Sequence, residues 1–354
     1  MVRPMKNPTQ NLGAILVLLF VVAGAARDVF FGEVFQRYRF FDVVVLGFGL
    51  ATVLFVIVVA LTAPQQFAVL LRNWRTALLA NLGTACAWLS YFFALKVLEP
   101  AAVQTIHAGT GAVTLVGLSA LGLHISRPVA VRGVEKLLHL GVFLVLLTLA
   151  GVVLAGLSGV RGQTLADTVP GLVLAFASGV FISLTSDVTK RMHEHGVSAE
   201  AVLAVRFIVM VCVAGTASWL EIGSGRAESL ALADGETLVR IAGAALALIV
   251  VPLYVLQLGL VRTSAVTTWV VMALGPCLVF VLQALANNFG GRIITSPYTL
   301  ACILAYSALV VVANLVRAKN GANLVRAKNG ANLVRAKSGA NLVRAPNAAI
   351  VKSH

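Results

Sequence analysis

The stretch from Asp42 to Ala63 reads DVVVLGFGLATVLFVIVVALTA, and after Asp42 it carries no charged residue. A hydrocarbon core about 30 Å thick needs roughly 20 apolar residues of helix to cross it. This stretch has that length, and the chain repeats the pattern. Comparable spans lie at 11–33, 75–95, 100–123, 136–157, 168–190, 199–221, 238–261, 264–289 and 296–316, with short polar breaks between them. Mean hydropathy is +0.95 and only 11% of residues are charged, a balance that no water-soluble fold can hide. Lipid requires each backbone polar group to be satisfied within its own segment, so every span is expected to be a helix. The fold class is therefore an all-α membrane protein with ten transmembrane helices.

The formal charge of +14 reflects topology and not a nucleic-acid footprint, because eight basic residues fall after residue 316, where no acid occurs. With the N-terminus inside, the inner loops hold Arg72 and Arg75, then Arg127, Arg132 and Lys136, then Lys190 and Arg191, then Arg262. Arg3, Lys6 and the basic tail join them, and the acid-rich outer loop 222–237 faces away. Lys and Arg favour the cytoplasmic side, so both termini are expected there, in an inner (plasma) membrane. Arg3 and Lys6 ahead of an apolar run, with Ala23-Gly24-Ala25 near its end, resemble a leader. The repeat described below favours a retained first span. Cys86, Cys212, Cys277 and Cys302 lie in apolar spans without metal-ligand spacing and read as small buried packing residues.

The tail repeats nine residues: ANLVRAKNG from 313 and from 322, ANLVRAKSG from 331 and ANLVRAPNA from 340. That period places successive Leu-Val pairs on opposite helix faces, so a disordered basic tail is expected, with anionic lipid as a second reading.

The two halves read as copies. An offset of 159 sets Ala26-Arg27-Asp28-Val29 on Thr185-Ser186-Asp187-Val188, and an offset of 163 sets Tyr91 on Tyr254, Leu95 on Leu258, Ala102-Val103 on Ala265-Val266 and Thr105 on Thr268. Five spans per half is an odd number, so the second copy must be inverted, as in many secondary transporters. The expected division is a cytoplasmic N-terminus 1–10, repeats at 11–157 and 158–316, and a tail at 317–354.

The chain resembles the drug/metabolite transporter superfamily, of the type named for the EamA domain, over roughly residues 10–316. The resemblance rests on Ser90-Tyr91-Phe92-Phe93-Ala94-Leu95 followed by Pro100-Ala101-Ala102-Val103, on the matching Tyr254 through Ala265-Val266, on Gly275-Pro276, and on Arg206. The chain departs from that pattern at Gly111-Ala112, where a proline is expected, and in lacking an arginine in the second span. The resemblance implies a ten-helix carrier that exports small metabolites, often by proton or solute exchange.

Carboxylates at membrane depth are the first candidates for chemistry. Asp28 has Arg27 beside it, and Asp187 has Lys190 and Arg191 on the same helix face. Each could carry a coupling proton or seal a helix end as an ion pair. Arg206 is costly at that depth unless paired or wetted, and Asp187 is its expected partner. Asn81, Thr84, Trp88 and Tyr91 share one helix face, and Gln104, His107 and Gly111 share another. With Tyr254, Gln257, Thr268 and Trp269 they suit a cavity for an amphipathic metabolite, or plain interhelical hydrogen bonds. Pro276 should kink the ninth span and serve as a hinge. Gly83-xxx-Ala87 and Gly151-xxx-Ala155 are expected to allow close helix contact.

There is no P-loop, nucleophile elbow or zinc-protease motif, so no catalytic residue, cofactor or metal is assigned and an enzyme is not expected. The sequence is therefore read as a secondary active transporter of a small organic solute, such as an amino acid or amphipathic compound. Substrate binding is assigned to Trp88, Tyr91, Gln104, His107, Tyr254, Gln257 and Trp269, and coupling or gating to Asp28, Asp187, Arg206 and Pro276. Partners are the solute, protons as coupling ion and membrane lipid, without nucleic acid. The alternatives are a membrane-embedded enzyme on a lipid or polyprenyl substrate and a non-transporting partner subunit.

Overall fold

The computed structural model describes residues 8–121, 133–220, 229–230, 233–263, 265–290, 293–294 and 296–319. The N-terminal basic residues, Arg127 and Arg132, Glu221 and Glu228, and the tail repeats beyond Lys319 lie outside them. The described chain is helical; its fourteen helices, some joined end to end, include nine segments long and apolar enough to cross a membrane and one shorter apolar segment. In order they are α1 (Pro8–Arg37), α2 (Phe40–Thr62), the short α3 (Gln65–Arg72), α4 (Trp74–Val97), α5 (Pro100–Ala120), α6 (Gly133–Leu154), α7 (Leu165–Glu194), α8 (Ala199–Arg206), α9 (Ile208–Trp219), α10 (Gly235–Ala245), α11 (Val251–Arg262), α12 (Ala265–Met272), α13 (Gly275–Gly290) and α14 (Pro297–Lys319). Two-residue strands β1 (Gly159–Val160) and β2 (Ile293–Ile294) pair antiparallel, Gly159 opposite Ile294. The chain is a multi-pass membrane protein.

Helix ends follow local chemistry. Pro100 opens α5 at a position whose N–H needs no intrahelical partner. Thr164 and Asp167 cap α7 reciprocally, with Thr164 N donating to Asp167 Oδ2 at 3.1 Å. Asp234 accepts Thr237 N at 2.7 Å at the start of α10.

The spans of the second half are interrupted where α2, α4 and α5 run unbroken. α8 gives way to α9 at Phe207, and Asn81 Oδ1 accepts the Val209 N–H at 3.3 Å beside that break. A π-turn over Leu246–Val250 joins α10 to α11 just ahead of Pro252. Proline lacks an N–H and crowds the carbonyl four residues back, which favours the wider turn. The ninth span, expected as one helix over 264–289, is instead two. Ala273 and Leu274 form a turn before Gly275-Pro276, and Ser307 Oγ of α14 donates to Ala273 O at 2.8 Å. α14 continues through Lys319, and Arg317 pairs with the buried Glu135 of α6.

Packing runs across the two halves. α7 packs most extensively on α4 and then α5, while α1 packs on α11, α12 and α13, and α2 packs on α8 and α9. Small residues permit these approaches. A Cβ added at Gly83 would overlap Thr185 of α7, and one added at Gly179 would lie 2.5 Å from His107 O of α5. Across the second interface, a Cβ at Gly259 would lie 3.2 Å from Gly13 O. Gly151, in contrast, has nothing near it, so that sequence spacing marks no helix contact. Cys86 and Cys212 also differ from expectation. Both face outward, and only Cys302 is buried. In lipid an outward thiol costs little, because Cys behaves as a small hydrophobe.

Gly179→Ala should therefore destabilise by about 1–3 kcal/mol, since a backbone carbonyl cannot step aside cheaply. Gly117→Ala, in open space on α5, should be neutral or stabilising by helix propensity. Thermal unfolding of the detergent-purified variants checks both.

Candidate functional site

α4 carries the site. Its residues Asn81, Thr84, Trp88 and Tyr91 recur at helical spacing and turn inward, while Leu78, Leu79 and Leu82 face lipid. Each inward residue meets a polar or cationic group of another helix.

At Tyr91 three helices converge. Asp28 of α1 is fully buried and pairs with Arg27 Nη2 at 2.7 Å. The Tyr91 hydroxyl lies 2.6 Å from Asp28 Oδ2 and 2.7 Å from Gln104 Oε1 of α5. A phenol has one proton and cannot donate to both oxygens. Either the Gln104 amide turns its NH₂ toward the phenol, or Asp28 is protonated and donates to Tyr91, which then donates to Gln104. Taking up one proton thus reverses the hydrogen bonds through Tyr91 and turns the Gln104 amide over. The Arg27 guanidinium stands over Trp88, 4.8 Å from the ring centroid, and 5.8 Å from that of Tyr91. Trp88 Nε1 is buried with no hydrogen-bond partner among the described residues.

His107, one turn beyond Gln104, stacks edge-on against Tyr91 with centroids 4.7 Å apart. Its Nδ1 lies 2.9 Å from Ser178 Oγ of α7. The Ser178 hydroxyl donates to Ala175 O at 2.7 Å, so it accepts from His107. That fixes the Nδ1–H tautomer of a neutral ring and leaves Nε2 as an acceptor.

Two turns along α4 from Tyr91, Arg206 Nε donates to Thr84 Oγ1 at 3.0 Å. Its guanidinium also lies 6.0 Å from the Phe207 ring. The expected partner Asp187 is not among its contacts, and no carboxylate pairs with it among the described residues. Asp187 is half-buried on α7 and makes contacts of its own. The physical reason is the close α4–α7 seam, which puts Thr84 and not an acid opposite the break at Phe207. Phe48 of α2 bridges the two cations through aromatic contacts, 5.8 Å from Trp88 and 5.0 Å from Phe207.

Asp28, Trp88, Tyr91, Gln104 and His107 thus lie together, and Arg206, held at Thr84, lies two turns along α4 from Tyr91. Tyr254 instead packs near Phe55, 6.3 Å between centroids, and Gln257 is buried on α11. Nothing is described for the Trp269 side chain. Pro276 is buried in the first turn of α13.

Sequence reading left out a second polar cluster. Glu99, in the two-residue link between α4 and α5, is fully buried. Ser158 Oγ and Gln283 Nε2 donate to it, and Thr299 Oγ1 lies 3.5 Å away. Gln283 Oε1 also accepts Ala101 N at 3.1 Å, a free donor at the start of α5. Burial pushes the Glu99 carboxyl up to about 7, against the opposing pull of its donors. The available signal was an acid placed directly before Pro100 in a link too short to reach water. Arg27 and Ser178 were likewise not assigned to the site.

No protein-family model matches the chain, and no curated protein matches it. A solved structure described only as "Crystal structure of protein" superposes with a TM-score of 0.54 at 18% identity, covering 86% of this chain and 96% of that one. That likeness is one of fold alone.

Removing one partner at a time should rank the cluster. Asp28→Asn strands a buried guanidinium and should cost about 3–5 kcal/mol. Tyr91→Phe leaves buried acceptors short of one donor and should cost about 1–3 kcal/mol. Chemical unfolding in detergent micelles reads the order, and a larger loss for Tyr91→Phe would reverse this assignment of the buried charge.

Proposed function

We propose that this protein is a secondary active carrier that moves a small organic solute across the plasma membrane by alternating access. In this reading ten spans form two inverted five-helix units, the broken ninth span included, and both termini are cytoplasmic. The packing supports that arrangement. Exchanging the halves turns the α7 contacts on α4 and α5 into the α1 contacts on α11 and on α12–α13, while α2 against α8–α9 maps onto itself. Inverted repeats of this kind place the solute between the halves, near the bilayer midplane.

The observation that carries the proposal is the inward face of α4. Over 10 residues, about 15 Å of helix, it meets one ion pair, one guanidinium with no carboxylate partner among the described residues, and an aromatic surface. Intramembrane charges are retained where they line a substrate or ion path. Arg206 suits an anionic group on the solute, because an unpaired guanidinium in low dielectric gains most from a charged acceptor. Trp88 and Tyr91 suit an apolar or ring portion, and Asp28 suits a coupling proton that alternates with the Tyr91 hydrogen bond. The export direction rests on the resemblance to drug/metabolite transporters.

Counterflow in proteoliposomes, with a panel of carboxylates, amines and neutral solutes, tests this directly. Saturable movement of at least one carboxylate is expected, reduced about 10- to 150-fold in Arg206→Gln, the worth of a hydrogen bond to a charged group. The outward-facing Cys86→Ala should transport normally. Chemical conversion of a lipid or polyprenyl additive without movement would favour the enzyme reading. Neither movement nor conversion would favour a partner subunit.

A further inference from the structure

We propose that Glu99 is a proton-binding site, and that protonation there holds the starts of α5 and α14, the middle of α13 and the β1 segment together as a closed clasp. The observation is the company this carboxylate keeps. It is fully buried, and its partners come from separate segments: Ser158 beside β1, Gln283 on α13 and Thr299 on α14. All are neutral. A buried carboxylate among neutral donors differs from Asp28, whose charge is balanced by Arg27 at 2.7 Å.

Within about one turn of Glu99 or its partners along the surrounding elements, the titratable or charged groups are few. They are Lys96 at the end of α4, Arg161 after β1, and Tyr298 and Cys302 on α14, with Asp167 beyond them in the first turn of α7. None bonds to Glu99 among the described residues, and Arg292 lies outside them. The positive end of α5 gives the ionised form some support, since Glu99 is its capping residue.

Protonation fits the geometry with little rearrangement. Ionised Glu99 accepts from Ser158, Gln283 and Thr299. Protonated Glu99 donates its new O–H to the Ser158 or Thr299 oxygen, and that hydroxyl turns its own proton elsewhere. Gln283 goes on donating to Oε1 and accepting from Ala101 N. The clasp therefore survives with no unbalanced charge inside it. If these segments part, water solvates the carboxyl and the ionised form is favoured again. A cavity of about 180 Å³, lined in part by Leu98, Ser158, Val160, Arg161 and Ile294, adjoins the clasp and offers water a way to it.

The sign follows from linkage. The closed state binds the proton more tightly than the parted state, so acid favours closure. That preference is present below neutral pH and is lost as pH rises through about 7. A group titrating near 7 when packed and near 4.5 in water shifts the closed-to-open ratio by about thirtyfold from about pH 5.5 to about pH 8.5. The proton site stands on this geometry alone. Its use as a gate at this end of the pathway rests on the carrier reading.

The test uses the full-length protein with its native cysteines replaced, Leu98→Cys introduced, and a water-soluble methanethiosulfonate reagent. Labelling should accelerate about thirtyfold from about pH 5.5 to about pH 8.5, after division by the rate in the same protein carrying Glu99→Gln, which cancels the thiol's own titration. Identical pH dependence in the two backgrounds overturns the clasp. Infrared difference spectra of the protein with Glu99 intact provide a second measurement. A protonated-carboxyl band that titrates near neutral pH, with the sensitivity of a buried acid to deuteration, supports the site when it persists in Asp28→Asn, the other fully buried carboxyl. Its absence across that range, in either protein, refutes it. Both outcomes are independent of solute movement, so a failed transport assay would count against the carrier reading and leave the proton site standing.

Discussion

Hydrocarbon offers no hydrogen bonds, so the polar groups this chain keeps at membrane depth are stabilised where another part of the protein supplies a partner. That constraint explains the arrangement of the bundle. Gln104 and Asp28 share the Tyr91 hydroxyl, His107 donates to Ser178, Arg206 rests on Thr84, and Asn81 takes the Val209 N–H at the break after Arg206. Each of these bonds joins two helices. Each is worth about 0.6 kcal/mol on average in a membrane bundle, so none holds the fold alone. Together they fix which faces meet, and the glycines at 83 and 179 allow the backbones close enough for the bonds to form.

The same constraint separates the halves. α1, α2, α4 and α5 run unbroken, while the corresponding region of the second half breaks at Phe207, over Leu246–Val250 and at Ala273-Leu274. Each break frees backbone groups that something else must satisfy, and Asn81 and Ser307 do so for two of them. A continuous helix bends little. A broken one can pivot where its ladder is interrupted. The first half thus supplies the polar face of α4, and the second supplies the joints beside it.

Much of this was legible in the sequence. Length and apolarity located every long span, and helical spacing put Asn81, Thr84, Trp88 and Tyr91 on one face before any contact was known. Asp28 beside Arg27 read as a proton carrier or as an ion pair sealing a helix end; the two side chains pair at 2.7 Å, deep among α1, α4 and α5. What could not be read was the identity of partners distant in the chain. Arg206 was matched to Asp187 because both lie near one end of adjacent helices, but the rotation of α7 on α4 decides the matter and spacing does not encode it. Glu99 was passed over as a loop acid. Its burial depends on Gln283 and Thr299, 184 and 200 residues away. The break at Ala273 follows from Gly275-Pro276, yet a hydropathy window sees only a continuous apolar run.

The central claim is that the inward face of α4 lines a water-accessible solute path, and cysteine scanning along that helix tests it most directly. Single cysteines at 79, 81, 82, 84, 88 and 91 would be exposed, in oriented membranes, to a membrane-impermeant thiol reagent from each side in turn. Reactivity is expected at 81, 84, 88 and 91, shifting between the two sides when a transported solute is added, with 79 and 82 inert in lipid. A reactive stripe at 79 and 82, or uniform silence along the 81–91 face, would contradict it.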